Sequence, residues 1–399
     1  MPKTKDLSFI ALVFLVCLQW IYFKHAGIHL PSPWNAVSPG VAIFGAAFIL
    51  SWGAELAQFE IPRSLAIAFL ALIAVLPEYA VDMYFAWEAG RDPQYIHYAT
   101  ANMTGANRLL IGVGWAAVVF AFFFRTKKGE VKLEEGSRTE IFALLAATLY
   151  SFAIPLKKSL SWVDSAFLLL IFIWYLVRTI RSPHEEPEVE GPIESIAEWS
   201  RIPRLAVTLF FFAFSGYVIF VSAEPFAEGL LETGRHWGIE EFILVQWLAP
   251  LASESPEFIV AIIFALRAQA TNSLGTLISS KVNQWTLLVG MLPLVYNLSA
   301  GHWGKMPMDA RQSEEFFLTS AQSIFALVVL ANLKFSITEA LLLFVLFITQ
   351  LFFTSTEARN IYAFIYLVLA VGWFFVIRDN RRGFILLFKE GLKNGEKHG

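Results

Sequence analysis

The chain has one cysteine, Cys17, in 399 residues. It can form no internal disulfide and no cysteine-based metal site. Charge is also scarce, at 16% Asp, Glu, Lys and Arg, where soluble domains carry about a quarter. So few charges cannot cover the surface of a soluble protein of this size, which excludes a soluble, disordered, disulfide-stapled or nucleic-acid-binding chain. No HExxH, nucleophile-base pattern or phosphate-binding loop is present, which argues against an enzyme. Strand-like alternation is absent too, so a β-barrel is not supported. What is abundant is apolar: 57% hydrophobic residues, with 38 Phe and 13 Trp, and a mean hydropathy of +0.58. This is the composition of an integral membrane protein. The net charge of −3 says little, because in a membrane the position of charges outweighs their sum.

Apolar runs long enough to span recur at 7–23, 36–57, 64–88, 94–124, 140–154, 160–180, 203–231, 240–268, 271–297, 314–332, 336–353 and 359–377. They predict an all-α polytopic protein of about twelve transmembrane helices. The first run follows Lys3 and Lys5 but precedes no small-x-small cleavage site, and Val16 spoils a lipoprotein box before Cys17, so it reads as a helix. Of the 30 Lys and Arg residues, 20 fall on the terminal side of alternate loops and 8 on the other. That asymmetry places both termini in the cytoplasm. Short loops and no organelle-targeting segment suit a prokaryotic cytoplasmic membrane. The Pro- and Glu-rich stretch 181–202 reads as a flexible acidic linker between two halves. The expected organisation is an extra helix over 1–35, a first half over 36–180, the linker, a second half over 203–353, and a last helix with a basic tail over 354–399.

The halves resemble each other. Leu76 to Trp87 reads LPEYAVDMYFAW and Ser255 to Leu266 reads SPEFIVAIIFAL, with five of twelve positions identical, among them Pro77/Pro256 and Glu78/Glu257. Ser51 to Glu55 and Ser222 to Glu224 form a weaker match. The copies lie in the third and eighth runs, an odd offset of five, so they enter the membrane in opposite directions. That is an inverted-topology repeat, common in secondary transporters. Proline in a span frees carbonyls about one turn earlier, and the adjoining glutamate adds hard carboxylate oxygens. A mid-bilayer carboxylate costs ~2.5–3.5 kcal/mol on insertion scales, so it calls for a partner or a function. Each copy has a second acid on the same face: Asp82 four residues after Glu78, and Glu254 three before Glu257. Four carboxylates converging near the midplane suit Ca²⁺, which takes 6–8 oxygens. The following runs add Asn102, Thr104, Asn107 and Arg108 in one half and Ser279, Ser280, Lys281, Asn283 and Gln284 in the other. Gly105 and Gly275 are expected to allow close helix approach.

This pattern resembles the cation/calcium exchanger superfamily, the sodium/calcium and proton/calcium antiporters. The resemblance covers roughly 36–353. It implies two inverted five-helix repeats, here with one extra helix at each end. Pro77-Glu78 and Pro256-Glu257 match the family's Pro-Glu. Ala252-Ser253-Glu254-Ser255 stands in the hydroxyl-bearing turn before it. Ala101-Asn102 matches Gly-Asn. Gly105-Ala106 and Ser279-Ser280 stand at Gly-Ser, with Leu110 and Gln284 at the downstream amide or acid position. In the first half Ile73-Ala74-Val75 replaces the hydroxyl-bearing turn. The implied cation ligands are Glu78, Asp82, Asn102, Asn107, Ser253, Glu254, Glu257, Ser280, Asn283 and Gln284, with Arg108 and Lys281 as fixed charges beside them.

The leading expectation is a secondary antiporter exchanging Ca²⁺ or a related cation for Na⁺ or H⁺, with the lipid bilayer and inorganic cations as its partners and no cofactor, nucleic acid or known protein partner. Arg108 and Lys281 could pair with Asp82 and Glu254. Lowering the site charge from −4 towards −2 in this way favours a monovalent Na⁺/H⁺ exchanger as the alternative. A third reading is a membrane protein that binds or senses ions without transporting them, its buried charges paired permanently.

Overall fold

The computed structural model describes residues 4–57, 59, 76–181, 192–353 and 355–391. The helices in chain order are α1 (Thr4–His25), α2 (Trp34–Ala57), α3 (Leu76–Ala89), α4 (Tyr95–Leu109), α5 (Ala116–Thr126), α6 (Arg138–Ser151), α7 (Ala153–Lys157), α8 (Trp162–Arg181), α9 (Glu194–Ala197), α10 (Arg201–Trp237), α11 (Glu241–Leu266) and α12 (Ala270–Asn283). They continue with α13 (Val289–Ala300), α14 (Ala310–Leu330), α15 (Ile337–Gln350), α16 (Thr356–Val376) and α17 (Arg378–Gly391). A π-helical segment, Leu110–Trp115, joins α4 to α5, and another, Gln284–Leu288, joins α12 to α13. Short strands β1 (Glu130–Lys132), β2 (Ser159–Leu160), β3 (Met306–Pro307) and β4 (Lys334–Ser336) complete the set.

Among the described residues, eight helical stretches are long and apolar enough to cross a membrane, and the broken span Glu241–Glu254 plus Glu257–Leu266 makes nine. The start of the expected third span, 64–75, lies outside the described residues. The fifth span is longer than its apolar run suggested, reaching from Glu135 to Lys157. The eleventh is shorter, with only Ile337–Gln350 helical.

The chain divides into two compact units: residues 1–85 with 179–256, and 86–178 with 257–399. Each therefore draws on both halves of the sequence. In the first unit α2 packs along α10. Glycines permit the approach: a Cβ on Gly229 would fall 2.7 Å from the Ala36 nitrogen, and one on Gly40 2.7 Å from the Phe226 ring. Cys17, Ile49, Trp52, Phe211 and Val218 form the core, and α1 covers one side. Ile193 is fully buried in that core. The end of the acidic linker is thus packed rather than loose, while 182–191 lie outside the described residues.

In the second unit the central helix is α14, its apolar window 83% buried. Asp309 and Gln312 close its N-terminus in a reciprocal capping box, which satisfies two main-chain donors at once. Two antiparallel ribbons tie loops together, β1 with β4 and β2 with β3. The twelve-run count puts both loops of each ribbon on one side, so the pairings agree with it. The basic tail is described to Gly391. Beyond Arg378 it folds into α17, where Asn380 donates to the Val328 and Val329 carbonyls at 2.9 and 3.0 Å, meeting acceptors that the end of α14 leaves open.

Gly275 faces open space, contrary to expectation, and the close approach occurs at Gly112. A Cβ there would lie 2.2 Å from Cγ of Phe347 on α15. Gly112→Ala should therefore lower the melting temperature in detergent, by about 1–3 kcal/mol of overpacking, and adding Phe347→Ala should return part of the loss.

Candidate cation-binding site

The predicted ligands fall on both units. Glu78, Asp82, Ser253 and Glu254 belong to the first, and Asn102, Asn107, Glu257, Ser280, Asn283 and Gln284 to the second. Within either unit, the described residues gather no group of three or more His, Cys, Asp or Glu side chains able to hold a metal ion. The four carboxylates of the expected cluster divide between the units, Glu78, Asp82 and Glu254 in the first and Glu257 in the second.

In the first unit the described part of α3 runs from Leu76 and includes Pro77. Glu78 and Asp82 follow one turn apart, 3% and 0% exposed. Tyr84 of the same helix donates to Glu228 of α10 at 2.7 Å, which fixes the rotation of α3. Ser253 and Glu254 are likewise buried. The Ser253 hydroxyl donates back to the Ala249 and Pro250 carbonyls at 3.2 and 3.3 Å. Its oxygen lone pairs stay available to a cation. A cavity of about 290 Å³ lined by Gly40, Val41, Phe44, Phe226, Leu251 and Ala252 reaches the neighbouring residue. Its walls are apolar and offer an ion nothing.

In the second unit, the helical piece Glu257–Leu266 follows the Pro256 break. Ser273 of α12 donates to its Ala261 carbonyl at 2.6 Å. Phe258, next to Glu257, packs against the π-helical segment at Gly114, where a Cβ would lie 2.9 Å from its ring, with Leu277 of α12 at 3.1 Å. Asn102, Asn107, Ser280, Asn283 and Gln284 are all buried, and Gln284 donates to Ser280 at 3.4 Å. The two π-helical segments begin at Leu110 and Gln284, 174 residues apart. The same spacing relates Gly105-Ala106 to Ser279-Ser280. π-turns inside α-helices are frequent at functional sites; here they mark corresponding places in the two halves.

The fixed cations take partners the sequence reading did not assign. Arg108 forms an ion pair with Glu315 of α14. Arg359 of α16 pairs with Glu314 at 3.2 Å and approaches Glu315 at 3.8 Å. These four residues thus form one network, in which Arg108, Glu315 and Arg359 are buried and Glu314 is partly so, and Arg311 lies within electrostatic reach of both acids. Lys281, fully buried, donates to the Asn107 main-chain oxygen at 3.1 Å and to its side-chain oxygen at 3.0 Å. Asn107 in turn donates to the Met103 carbonyl at 2.9 Å. Its side-chain oxygen, predicted as a cation ligand, serves the lysine. Glu314, Glu315 and Arg359 were missed because they sit near the predicted ends of runs ten and twelve, where charges read as loop residues. The signal available was the polar stripe of α14, in which Glu315, Thr319, Gln322 and Ser323 recur at helical spacing and are all buried.

Comparison with known proteins fits this architecture. The sodium/calcium exchanger protein family model matches residues 34–181 and 207–356. A crystal structure of the H⁺/Ca²⁺ exchanger CAX is 45% identical, with a TM-score of 0.93, over 97% of this chain and 98% of that one. The sodium-calcium exchanger NCX_Mj is 17% identical with a TM-score of 0.53, over 79% of this chain and 96% of that one, and shares the fold. YfkE, 15% identical with a TM-score of 0.60 over 90% and 100% of the two chains, does the same. No curated protein sequence matches significantly. Two repeats carrying Pro-Glu helices, matched half by half, make this integral membrane chain a member of the sodium/calcium exchanger protein family.

Proposed function

We propose that the chain is a secondary antiporter that exchanges Ca²⁺ for H⁺ by alternating access, with Glu78 and Glu257 as the residues both ions share. The observation that carries this reading is the repeated Pro-Glu helix, with Glu78 buried at 3% exposure, in a chain 45% identical to a protein described as an H⁺/Ca²⁺ exchanger. A carboxylate held in a low-dielectric interior needs a counter-charge. A divalent cation or a proton can each supply it, and one oxygen cannot serve both. Binding of Ca²⁺ therefore displaces protons, and protonation releases Ca²⁺. Two carboxylates balance one Ca²⁺ or two protons, so each loaded form is neutral at these groups. Asp82, Ser253, Glu254, Asn102, Ser280, Asn283 and Gln284 would add oxygens. Both termini would face the cytoplasm of a prokaryotic cell.

The pairing of Arg108 with Glu315 supports this over monovalent Na⁺/H⁺ exchange. That argument subtracted two fixed charges from the site, and Glu315 accounts for one of them. Purified protein in vesicles should take up Ca²⁺ under an imposed pH gradient without Na⁺. Uptake that requires Na⁺, or none under either gradient, would overturn the assignment.

A further inference from the structure

We propose that Lys281 is a tethered monovalent cation. Its ammonium fills, permanently, a place that a mobile alkali cation would otherwise occupy, and so it sets the ion specificity of the exchanger. The inference rests on the antiport reading for its consequence but on its own geometry for its site.

The Lys281 ammonium has the surroundings of a bound ion rather than of a surface lysine. It is 0% exposed. It meets the Asn107 carbonyl and the Asn107 carboxamide oxygen at 3.1 and 3.0 Å, and the Trp285 ring centroid lies 5.1 Å away. Main-chain carbonyl, amide oxygen and aromatic face are neutral groups that stabilise a cation. Its position is equally telling. Asn107 and Lys281 are 174 residues apart, the spacing that separates the two π-helical segments. Corresponding positions of the two halves therefore touch, with a cation from one half seated on oxygens of the other. The piece bearing Glu257 packs on the same two helical stretches, with Phe258 at Gly114 beside Leu277. A lysine tethered there contributes one positive charge in every state of the cycle. A dissociable Na⁺ would contribute it only when bound. The chain thus dispenses with one monovalent ion, and the oxygens of Asn107 belong to the lysine rather than to transported cargo.

The test is Lys281→Ala, which removes the ammonium and leaves its oxygens. Thermal melting of purified protein is measured against Na⁺, K⁺ and methylammonium, alongside Ca²⁺ flux in vesicles. Expected is a wild type indifferent to all three ions. In the variant, Ca²⁺ flux should fall at least about tenfold in their absence, and both flux and melting temperature should recover with one of them. Lys281→Arg, which keeps the charge, should retain flux without added ion. A variant that transports normally without monovalent ions would overturn the proposal. So would one that is folded but inactive and recovers with none of the three. If Lys281→Ala folds poorly, an ion-dependent rise in its melting temperature supports the proposal and an ion-independent instability contradicts it. A wild type lacking Ca²⁺ flux would refute the antiport reading alone, because monovalent-ion binding to the variant is still read by melting.

Discussion

Glu257→Gln, and separately Glu78→Gln, should reduce Ca²⁺ flux by about thirtyfold or more while leaving the fold intact. Glutamine keeps the size and one oxygen of glutamate but removes its charge and its proton site. Losing one partner of a buried charge contact typically costs about 2–5 kcal/mol, and each ~1.4 kcal/mol is a factor of ten. The stability readout separates transport from a merely structural role. If Glu78, 3% exposed, were one arm of a permanent ion pair, neutralising it would strand the other charge and destabilise by about 3–5 kcal/mol. If its counter-charge is a mobile ion, the glutamine variant should melt at or above the wild-type temperature in chelator. It should lose the stabilisation that saturating Ca²⁺ gives the wild type, about 2.7 kcal/mol at a hundredfold over Kd.

The second large effect concerns the Arg108, Glu315, Arg359 and Glu314 network, and here stability is what should change. Glu315 meets Arg108 and lies 3.8 Å from Arg359. Glu315→Leu would remove the acid that meets both guanidiniums, leaving Glu314 at Arg359. Arg108→Met would leave Glu315 with Arg359 still beside it. The loss should therefore be asymmetric: about 3–5 kcal/mol for Glu315→Leu and clearly less for Arg108→Met. The double variant should be more stable than Glu315→Leu, because no guanidinium on α4 is then left without its carboxylate. Melting temperatures of the three proteins in detergent check the order. Equal losses in both single variants would show that Arg359 does not support Glu315.

Much of this was legible in the sequence because membranes make the rules simple. A span must be long and apolar, so most runs emerged within a few residues, among them 162–181 and 310–330. The Pro-Glu repeat was legible because proline and glutamate are both costly inside a span and coincide twice. What was not legible is of two kinds. The π-helical segments at Leu110 and Gln284 have sequences that an α-helix accepts equally well. Charges near run ends were ambiguous, since an edge shifted by four residues turns a loop arginine such as Arg359 into a buried one. The contact of Lys281 with Asn107 joins residues 174 apart. No local pattern encodes it, although the 174-residue register that relates Gly105-Ala106 to Ser279-Ser280, applied to residue 107, lands on 281. The basic tail also carries an amphipathic helix, α17, that packs on α6, α14 and α16, an element the sequence reading did not define.

The central claim is that Ca²⁺ and protons compete for the same intramembrane carboxylates. The most direct measurement follows both ions at once in sodium-free vesicles containing the purified protein, with a Ca²⁺ indicator and a pH indicator in the lumen. The account predicts that Ca²⁺ entry is matched by proton exit at about two protons per Ca²⁺, the count that balances its charge on two carboxylates, and that both signals vanish together in Glu257→Gln. Calcium entering with no accompanying proton movement, or a Glu257→Gln protein that still couples the two, would contradict it.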